Sequence, residues 1–598
     1  MDLKHTTRSV NAPKYSHTTT PLTAKKPLVA GKSPFAAKDP KKRRQQMLFA
    51  IIAGYFIIFA ILYLIGNPTA RTFVELITGR NAATKFVYHS YKVSFDVTVS
   101  PELQSQITEK LGKIEYEGTK KYTFTNAEES DYQIGVHSGH ITDNDDIRLL
   151  YASYLVPVGH IYWIKDGISK DDLTNKEVIT SEKDKNFAAE MVEKAFGKKP
   201  TLRSSATPYS ELNNNENLVG LIDIGELTKE YKLLTLDSNF FLDKAPEGGI
   251  PYGLYLSRSK AKDFSGAGAI EGNLESALPA KFNKEEVLKL NMTGVTAISR
   301  GLAIKTNAAK NGGYAADKIG SFLADADLTH TSNEVSFVDG CTPGNSMRFC
   351  SHPSYIEALE KSGIDIVELT GNHNNDYGAA ANASTIEMYK AKGWDYFGGG
   401  LNSADAAKIL YKELKGTKIA FLGYNPYGTN LGSTEIAGAT RAGANSWSNE
   451  KVKNDIKTAR ENGAQVVIVD FQYQECYLYT TYGQTACYGV SAVPGQQRDF
   501  RFAIDNGADI VIGAQAHQPQ TYELYNGKII FYGLGNLFFD QVQWLGSRQG
   551  IVLTHYFYKG MHMTTKISTT IYDSDMRPYV TVGSEREKLL KSLKNARP

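Results

Sequence analysis

"YIEALEKSGIDIVELTGNH" (residues 355–373) runs a helical pattern into a glycine, then an apolar run, then a polar loop. The same unit returns as "IKTARENGAQVVIVDFQYQE" (456–475) and "FRFAIDNGADIVIGAQAH" (500–517). Helix–Gly–strand spacing of this kind builds parallel strands of an α/β fold. In such sheets ligands collect at the carboxyl ends of the strands, where loops converge. The three loops bring Asn372 and His373, then Gln472 and Glu475, then Gln515 and His517 to that edge. The first of them, "LTGNHNNDYG" (369–378), places five polar side chains in a row. Such a row is either an Asx-type turn or the wall of a site for a metal or phosphate, and the company of the other two loops favours a shared cleft.

Outward from this core the chain changes character. It has 598 residues, 41% of them hydrophobic, enough for two or more domains. Net charge is only +3, but residues 1–46 hold eleven Lys and Arg against Asp2 and Asp39. That stretch reads as a disordered, basic cytoplasmic tail. "KKRR" (41–44) then meets "MLFAIIAGYFIIFAILYLI" (47–65), nineteen residues without a charge. As a helix this spans about 28 Å, close to the ~30 Å hydrocarbon core. Residues 47–66 are therefore expected to cross the lipid bilayer once as a transmembrane helix. With basic residues only on the N-terminal flank, the tail faces the cytoplasm and the bulk of the chain lies outside. A nucleic-acid arm is the other use of a basic tail, and the adjoining apolar run argues against it: no nucleic acid partner is expected. The four cysteines fall in two sequence pairs, Cys341 with Cys350 and Cys476 with Cys487. An oxidising exterior permits a local bridge in each, although four cysteines allow three connectivities.

Residues 86–262 alternate strand and helix patterns and form an α/β domain of their own. "YKVSFDVTVS" (91–100) alternates as a strand does, "SPELQSQITEKLGK" (100–113) starts on a serine cap, and "NFAAEMVEKAFGK" (186–198) is an amphipathic helix closed by Gly197. His137, His140 and His160 fit surface or core positions better than a ligand set. The stretch "YLVPVGHIYWIKDGISKDDLTNKEVIT" (154–180) resembles the hinge region of the bilobal periplasmic binding-protein fold, which implies a ligand-binding domain. Residues 263–287, rich in Gly, Ala and Ser, read as a linker, and 546–598 as C-terminal strands and a basic helical tail.

Between 288 and 545 five segments in order carry a resemblance. They are "TGVTAISRG" (293–301), "ADLTHTSNEVSF" (326–337), "LTGNHNNDYG", "VVIVDFQYQE" (466–475) and "GAQAHQPQTYELYNGKIIFYGLGNLFFDQ" (513–541). Together they resemble the CapA-type capsule (poly-γ-glutamate) synthesis family, whose domain is metallophosphoesterase-like. The resemblance implies an α/β sandwich, an anionic polymer and further synthesis or export subunits as partners, and a metal cleft. Three positions depart from the family pattern: Val295 where an Asp is usual, Gln472 in place of a His, and Gln515 in place of the first His of a His-Pro-His motif. Glu334, Asn372, His373, Asp376, Glu475 and His517 keep suitable chemistry. Within 288–545 there are four histidines, His330, His352, His373 and His517. Two hydrolytic metals need several carboxylate or imidazole ligands, so the set is incomplete. What remains is either one divalent cation (Mn, Zn, Fe or Mg) on Glu334, Asn372, His373 and His517, or a metal-free polar cleft.

Each residue also has a plain structural reading. His373 could cap the following helix, Asp376 could close a turn before Tyr377-Gly378, Glu334 could pair with Arg300, and Asn536 suits a tight bend. Three functions follow. The first is a membrane-anchored, outward-facing factor in synthesis or export of an anionic capsule polymer. The second is a metal-dependent surface hydrolase on a phosphoester or amide, with Glu334 or Glu475 as base and His373 or His517 stabilising developing charge. The third is a non-catalytic ligand-binding module with a degenerate metal site.

Overall fold

The computed structural model describes residues 89–598 apart from 117–118, 140–142, 216, 244–246, 275–277, 279–281, 345, 427–434 and 474–488. The apolar stretch 47–66, His140, Glu475, Cys476 and Cys487 all lie outside the described residues. Among the described residues no helix is long and apolar enough to cross a membrane.

The N-terminal domain is built on one sheet with a repeated plan. Strand Tyr91–Phe95 lies parallel between Tyr122–Phe124 and Tyr132–Ser138. Strand Glu177–Ser181 lies parallel between Thr201–Ser205 and Val219–Asp223. Each trio is joined by an antiparallel fourth strand, Ile250–Arg258 on the first and Ile147–His160 on the second, and these two pair with each other. The sheet thus has two halves meeting at two long antiparallel strands. The expected helices are present. Pro101–Leu111 starts where Ser100 Oγ accepts the Leu103 N–H at 3.3 Å, and it buries Ile107 and Leu111. Ala188–Phe196 ends at Gly197, whose φ of 74° suits a residue without Cβ. The strand expected over 91–100 is shorter, because the chain turns at Asp96, whose Oδ1 accepts the Thr98 N–H at 2.9 Å. Part of the presumed linker is structured: Gly268–Leu274 is helical, and Ile270 and Leu274 belong to the domain's core.

The C-terminal domain is a sandwich of two sheets. The first runs Asp395–Phe397, Ile366–Glu368, Leu328–Asn333, Val287–Thr296, Gln549–Tyr558, Met561–Tyr572, Pro578–Val580, with Asn536–Phe538 also paired to Val287–Thr296. The second runs Leu410–Leu414, Thr417–Tyr424, Val466–Gln472, Ile510–Ala514, Lys528–Leu534, Pro519–Tyr525. The repeated units are therefore divided, one strand in the first sheet and two in the second. Strand Val466–Gln472 shows why its sequence is apolar throughout. Val466 and Ile468 pack between the sheets, while Val467, Val469 and Phe471 lie under helices Asn449–Glu461 and Pro494–Asp505. Each such side chain contributes about 1.5–3 kcal/mol by burial. The 546–598 stretch completes this domain: three of its strands extend the first sheet, and Leu589, Leu590 and Leu593 of helix Gly583–Asn595 enter the inter-sheet core.

The two domains share a core. Val156, Ile222, Leu233 and Phe241 of the N-terminal domain cluster with Val287, Tyr556, Tyr558 and Met563. Thr564 stitches the seam, donating through Oγ1 to the Tyr231 carbonyl at 3.0 Å and accepting the Leu233 N–H at 3.3 Å.

Of the two bridges expected from cysteine spacing, one is present among the described residues: Cys341 is bonded to Cys350. The other expected pairing, Cys476 to Cys487, falls within 474–488, and neither Cys476 nor Cys487 is among the described residues. Closing a loop over nine residues of separation restricts the unfolded chain by about 2–3 kcal/mol. A Cys341→Ser/Cys350→Ser variant should lose stability of that order in urea unfolding; a change below about 0.5 kcal/mol would show that the bridge adds nothing beyond its neighbours' packing.

Candidate functional site

The site lies where the carboxyl ends of parallel strands from both sheets meet. Arg300 follows Val287–Thr296, Glu334 follows Leu328–Asn333, and Asn372 and His373 follow Ile366–Glu368. From the second sheet, Gln472 ends Val466–Gln472, and Gln515 and His517 follow Ile510–Ala514. Gln472 Nε2 donates to Asn372 Oδ1 at 3.1 Å and also to Gln515 Oε1, so the amides bridge the two sheets.

Glu334 is the site's most unusual group. It is 1% exposed, and neither carboxylate oxygen has a hydrogen-bond partner among the described residues. Burial pushes it up to about 7; His373 and Arg300 pull it down, and Asp376 and Glu368 add to the rise. His373 Nδ1 lies 2.7 Å from Asp376 Oδ2, and its ring packs on Phe349 at 4.1 Å between centroids. Burial works against its charged form, but the bond to Asp376 and the nearby Glu334 outweigh this and raise it. His517 is different: burial, with His373 and Arg300 nearby, pushes it down to about 4 although Asn536 favours the charged ring. A neutral His517 is therefore held through Nδ1, 2.9 Å from Asn536 Oδ1.

Arg300 does not pair with Glu334. Its guanidinium binds Asp540, Nε to Oδ1 at 2.9 Å, and lies over the rings of Phe349 and Phe539 at 4.5 and 5.0 Å. Asp540 wins because it serves twice, its Oδ2 also accepting the Gly301 N–H at 2.9 Å in the first turn of helix Arg300–Ala309. Asp376 is likewise more than a turn residue: Oδ2 accepts the Phe349 N–H at 2.7 Å and fixes the His373 ring. His373 does not cap the next helix, Ala379–Ala391, whose N-cap residue is Gly378 and which has no side-chain cap. Asn536 donates to the carbonyls of His517 at 3.0 Å and Ser547 at 2.9 Å. Two non-glycine residues of the site take positive φ, Arg300 at 45° and Gln515 at 75°. Conformations of this kind cost about 1–3 kcal/mol and cluster at functional sites.

Sequence reading passed over a deeper layer. His330 Nε2 is 3.1 Å from Asp470 Oδ2, both fully buried and on strands of different sheets, and burial raises Asp470. Glu368 beside them is also raised, by burial and then by Asp470. The available signal was a lone Asp inside "VVIVDF", where an apolar residue would otherwise stand.

As a metal centre the set is thin. Among the described residues no three His, Cys, Asp or Glu side chains come together as a metal-binding group. The Nδ1 atoms of His373 and His517 are engaged by Asp376 and Asn536. A dinuclear centre does not fit these donors. The orphaned oxygens of Glu334 suit one bound cation or a ligand's hydrogen-bond donor.

Residues 289–541 match the family described as bacterial capsule synthesis protein PGA_cap. This part of the chain, under half of its length, is similar to that CapA-type family. Relatives include the capsule biosynthesis protein CapA of Bacillus anthracis, 26% identical over 53% of this chain and 76% of that protein. The PGA biosynthesis protein CapA of Bacillus subtilis (strain 168) is 26% identical over 34% of this chain, which spans 50% of that relative's length. Among solved structures, an NAD nucleotidase from Haemophilus influenzae aligns at 10% identity over 52% of this chain and 57% of its own, with a TM-score of 0.28. That score is too low to bear on the fold. Val295, Gln472 and Gln515, the three departures from the family pattern, are all buried and neutral.

Proposed function

We propose that this protein works in the synthesis or export of an anionic capsule-type polymer such as poly-γ-glutamate, anchored by residues 47–66 with its bulk outside the cell. The observation that carries the reading is a buried carboxylate, Glu334, without a hydrogen-bond partner among the described residues, in the part of the chain similar to capsule-synthesis proteins. A burial of that kind is costly and is retained where the group acts on a ligand. A lysine-lined groove of about 760 Å³ supports an anionic partner: Lys165, Lys588, Lys591 and Lys594 line it, against Glu587 and an Asp172 already paired to Lys176. The other synthesis or export subunits belong to the same proposal.

A second reading is favoured by the acid–base pair itself. Glu334, near neutrality, and His373, raised by Asp376, could exchange a proton with an amide or phosphoester, with the site's amides stabilising developing charge. One divalent cation on Glu334 belongs to this reading, to be tested by elemental analysis. The strand order of the 86–262 domain supports a third element, a two-halved ligand-binding module in the same chain.

The test is genetic and chemical. In cells lacking this chain, surface polymer is measured by acid hydrolysis and amino-acid analysis after complementation with wild type or His373→Ala. Wild type should restore the polymer, and His373→Ala should reduce it at least tenfold at equal protein level. Unchanged polymer on deletion would overturn the capsule role; full activity in His373→Ala would overturn the acid–base reading alone.

A further inference from the structure

A cavity of about 430 Å³ opens between the two halves of the N-terminal sheet. It lies at the carboxyl ends of parallel strands from both halves. Thr98 and Ser100 follow strand Tyr91–Phe95, Lys183 and Asp184 follow Glu177–Ser181, and Asp223 ends Val219–Asp223. Asp184 and Asp223 are each 3% exposed. Asp223 Oδ2 accepts from Tyr252 Oη at 2.8 Å and from Ser153 Oγ, and its N–H donates to Asp184 Oδ2 at 3.3 Å. The resident ammonium, Lys183, is engaged 2.7 Å away by Glu226. Among the described residues, the three carboxylates of Asp184, Asp223 and Glu226 thus have one ammonium between them, and Glu102 adds a further carboxylate to the lining. The rest of the wall is largely apolar, with Val99, Leu103, Phe187 and Leu254.

Buried carboxylates in excess of cations favour a positively charged occupant and disfavour an anion. We infer that this cavity binds a small molecule carrying a protonated amine, its ammonium against Asp184 and Asp223 and a short apolar body against Phe187 and Leu254. The size suits a small-ligand pocket. Asp184 itself is pushed up to about 7 by burial and by Glu226 and Asp223, with Lys183 pulling the other way, and an incoming ammonium would relieve that excess of negative charge. The inference rests on reading the 86–262 domain as a binding module.

The test is isothermal titration of the full chain with n-butylamine, putrescine and L-leucine, and with acetate and inorganic phosphate as anions. At least one amine should bind, the anions should not, and Asp184→Asn or Asp223→Asn should weaken amine binding at least tenfold. Lys183→Met, which removes the competing ammonium, should tighten it about threefold or more, a change that a merely structural role would not produce. Binding of anions in place of amines would overturn the ligand class while leaving the binding module standing. No binding of any probe would overturn both. Amine binding untouched by all three variants would place it outside this cavity and overturn the assignment.

Discussion

Glu334→Gln should make the protein more stable at pH 8, by about 3 kcal/mol, while disabling the cleft. The wild-type carboxyl sits at about 7 in the fold, against an ordinary value of 4.5. At about 1.4 kcal/mol per unit of pKa this difference amounts to roughly 3 kcal/mol. The sign follows from proton binding: the folded state holds this proton more tightly than the unfolded state. Below pH 4.5 the carboxyl is protonated in both, and Glu334 exacts no charge-burial cost. Between 4.5 and 7 the unfolded chain ionises first and the folded state loses relative stability, and above 7 the loss is constant. Urea unfolding of wild type and variant at pH 4, 6 and 8 should therefore give curves that nearly coincide at pH 4 and separate progressively. Equal stability at pH 8 would mean that the carboxylate has a compensating partner in solution, such as a bound cation, and repeating the titration after chelation would reveal it.

Arg300→Met is expected to act in the opposite direction, destabilising the fold by about 3–5 kcal/mol. The guanidinium and Asp540 are both largely buried, at 17% and 12% side-chain exposure. Removing one partner of such a pair leaves the other charge uncompensated. The Met side chain retains apolar contact with Phe349 and Phe539 but loses the cation–ring attraction. Glu334 loses its nearby cation, so its carboxyl should rise further. The double variant Arg300→Met/Asp540→Asn should recover more than half of the loss, since the pair is then removed as a unit. A loss below about 1 kcal/mol in the single variant would show that Asp540 finds another partner.

Much of this architecture could be read from residue pattern alone, for identifiable reasons. The Gly363, Gly463 and Gly507 positions punctuate helix and strand because each takes positive φ, 63°, 80° and 109°. The serine cap and the Gly197 stop mark helix ends by local chemistry, and these were legible. The division of the repeated strands between two sheets was not, because an apolar run says that both faces are covered and not by what. At the site, polar loop residues were conspicuous, but their partners were not. Asp540 lies 240 residues from Arg300, and no spacing links them. His330 and Asp470 were hidden for a related reason: each reads as a single polar interruption in its own strand, and only stacking of the sheets makes them a pair. Part of 263–287 packs into the N-terminal domain because small residues such as Gly266 suit close packing as well as freedom; a Cβ there would meet the Tyr91 ring at 2.3 Å.

The shared core at the seam is asymmetric. The strands it draws from the N-terminal sheet, Ile147–His160, Glu177–Ser181 and Val219–Asp223, come from the second half. The Tyr91, Tyr122 and Tyr132 strands give it nothing, their buried side chains belonging to the domain's own core. The second half thus packs directly against the C-terminal domain, and the first half reaches that domain only through the second, with which it shares the core of Val93, Tyr132, Leu155 and Leu221. Strand Tyr91–Phe95, the first of the described chain, belongs to that first half, so the path from it to the cleft runs through the long strand Ile147–His160 and the seam.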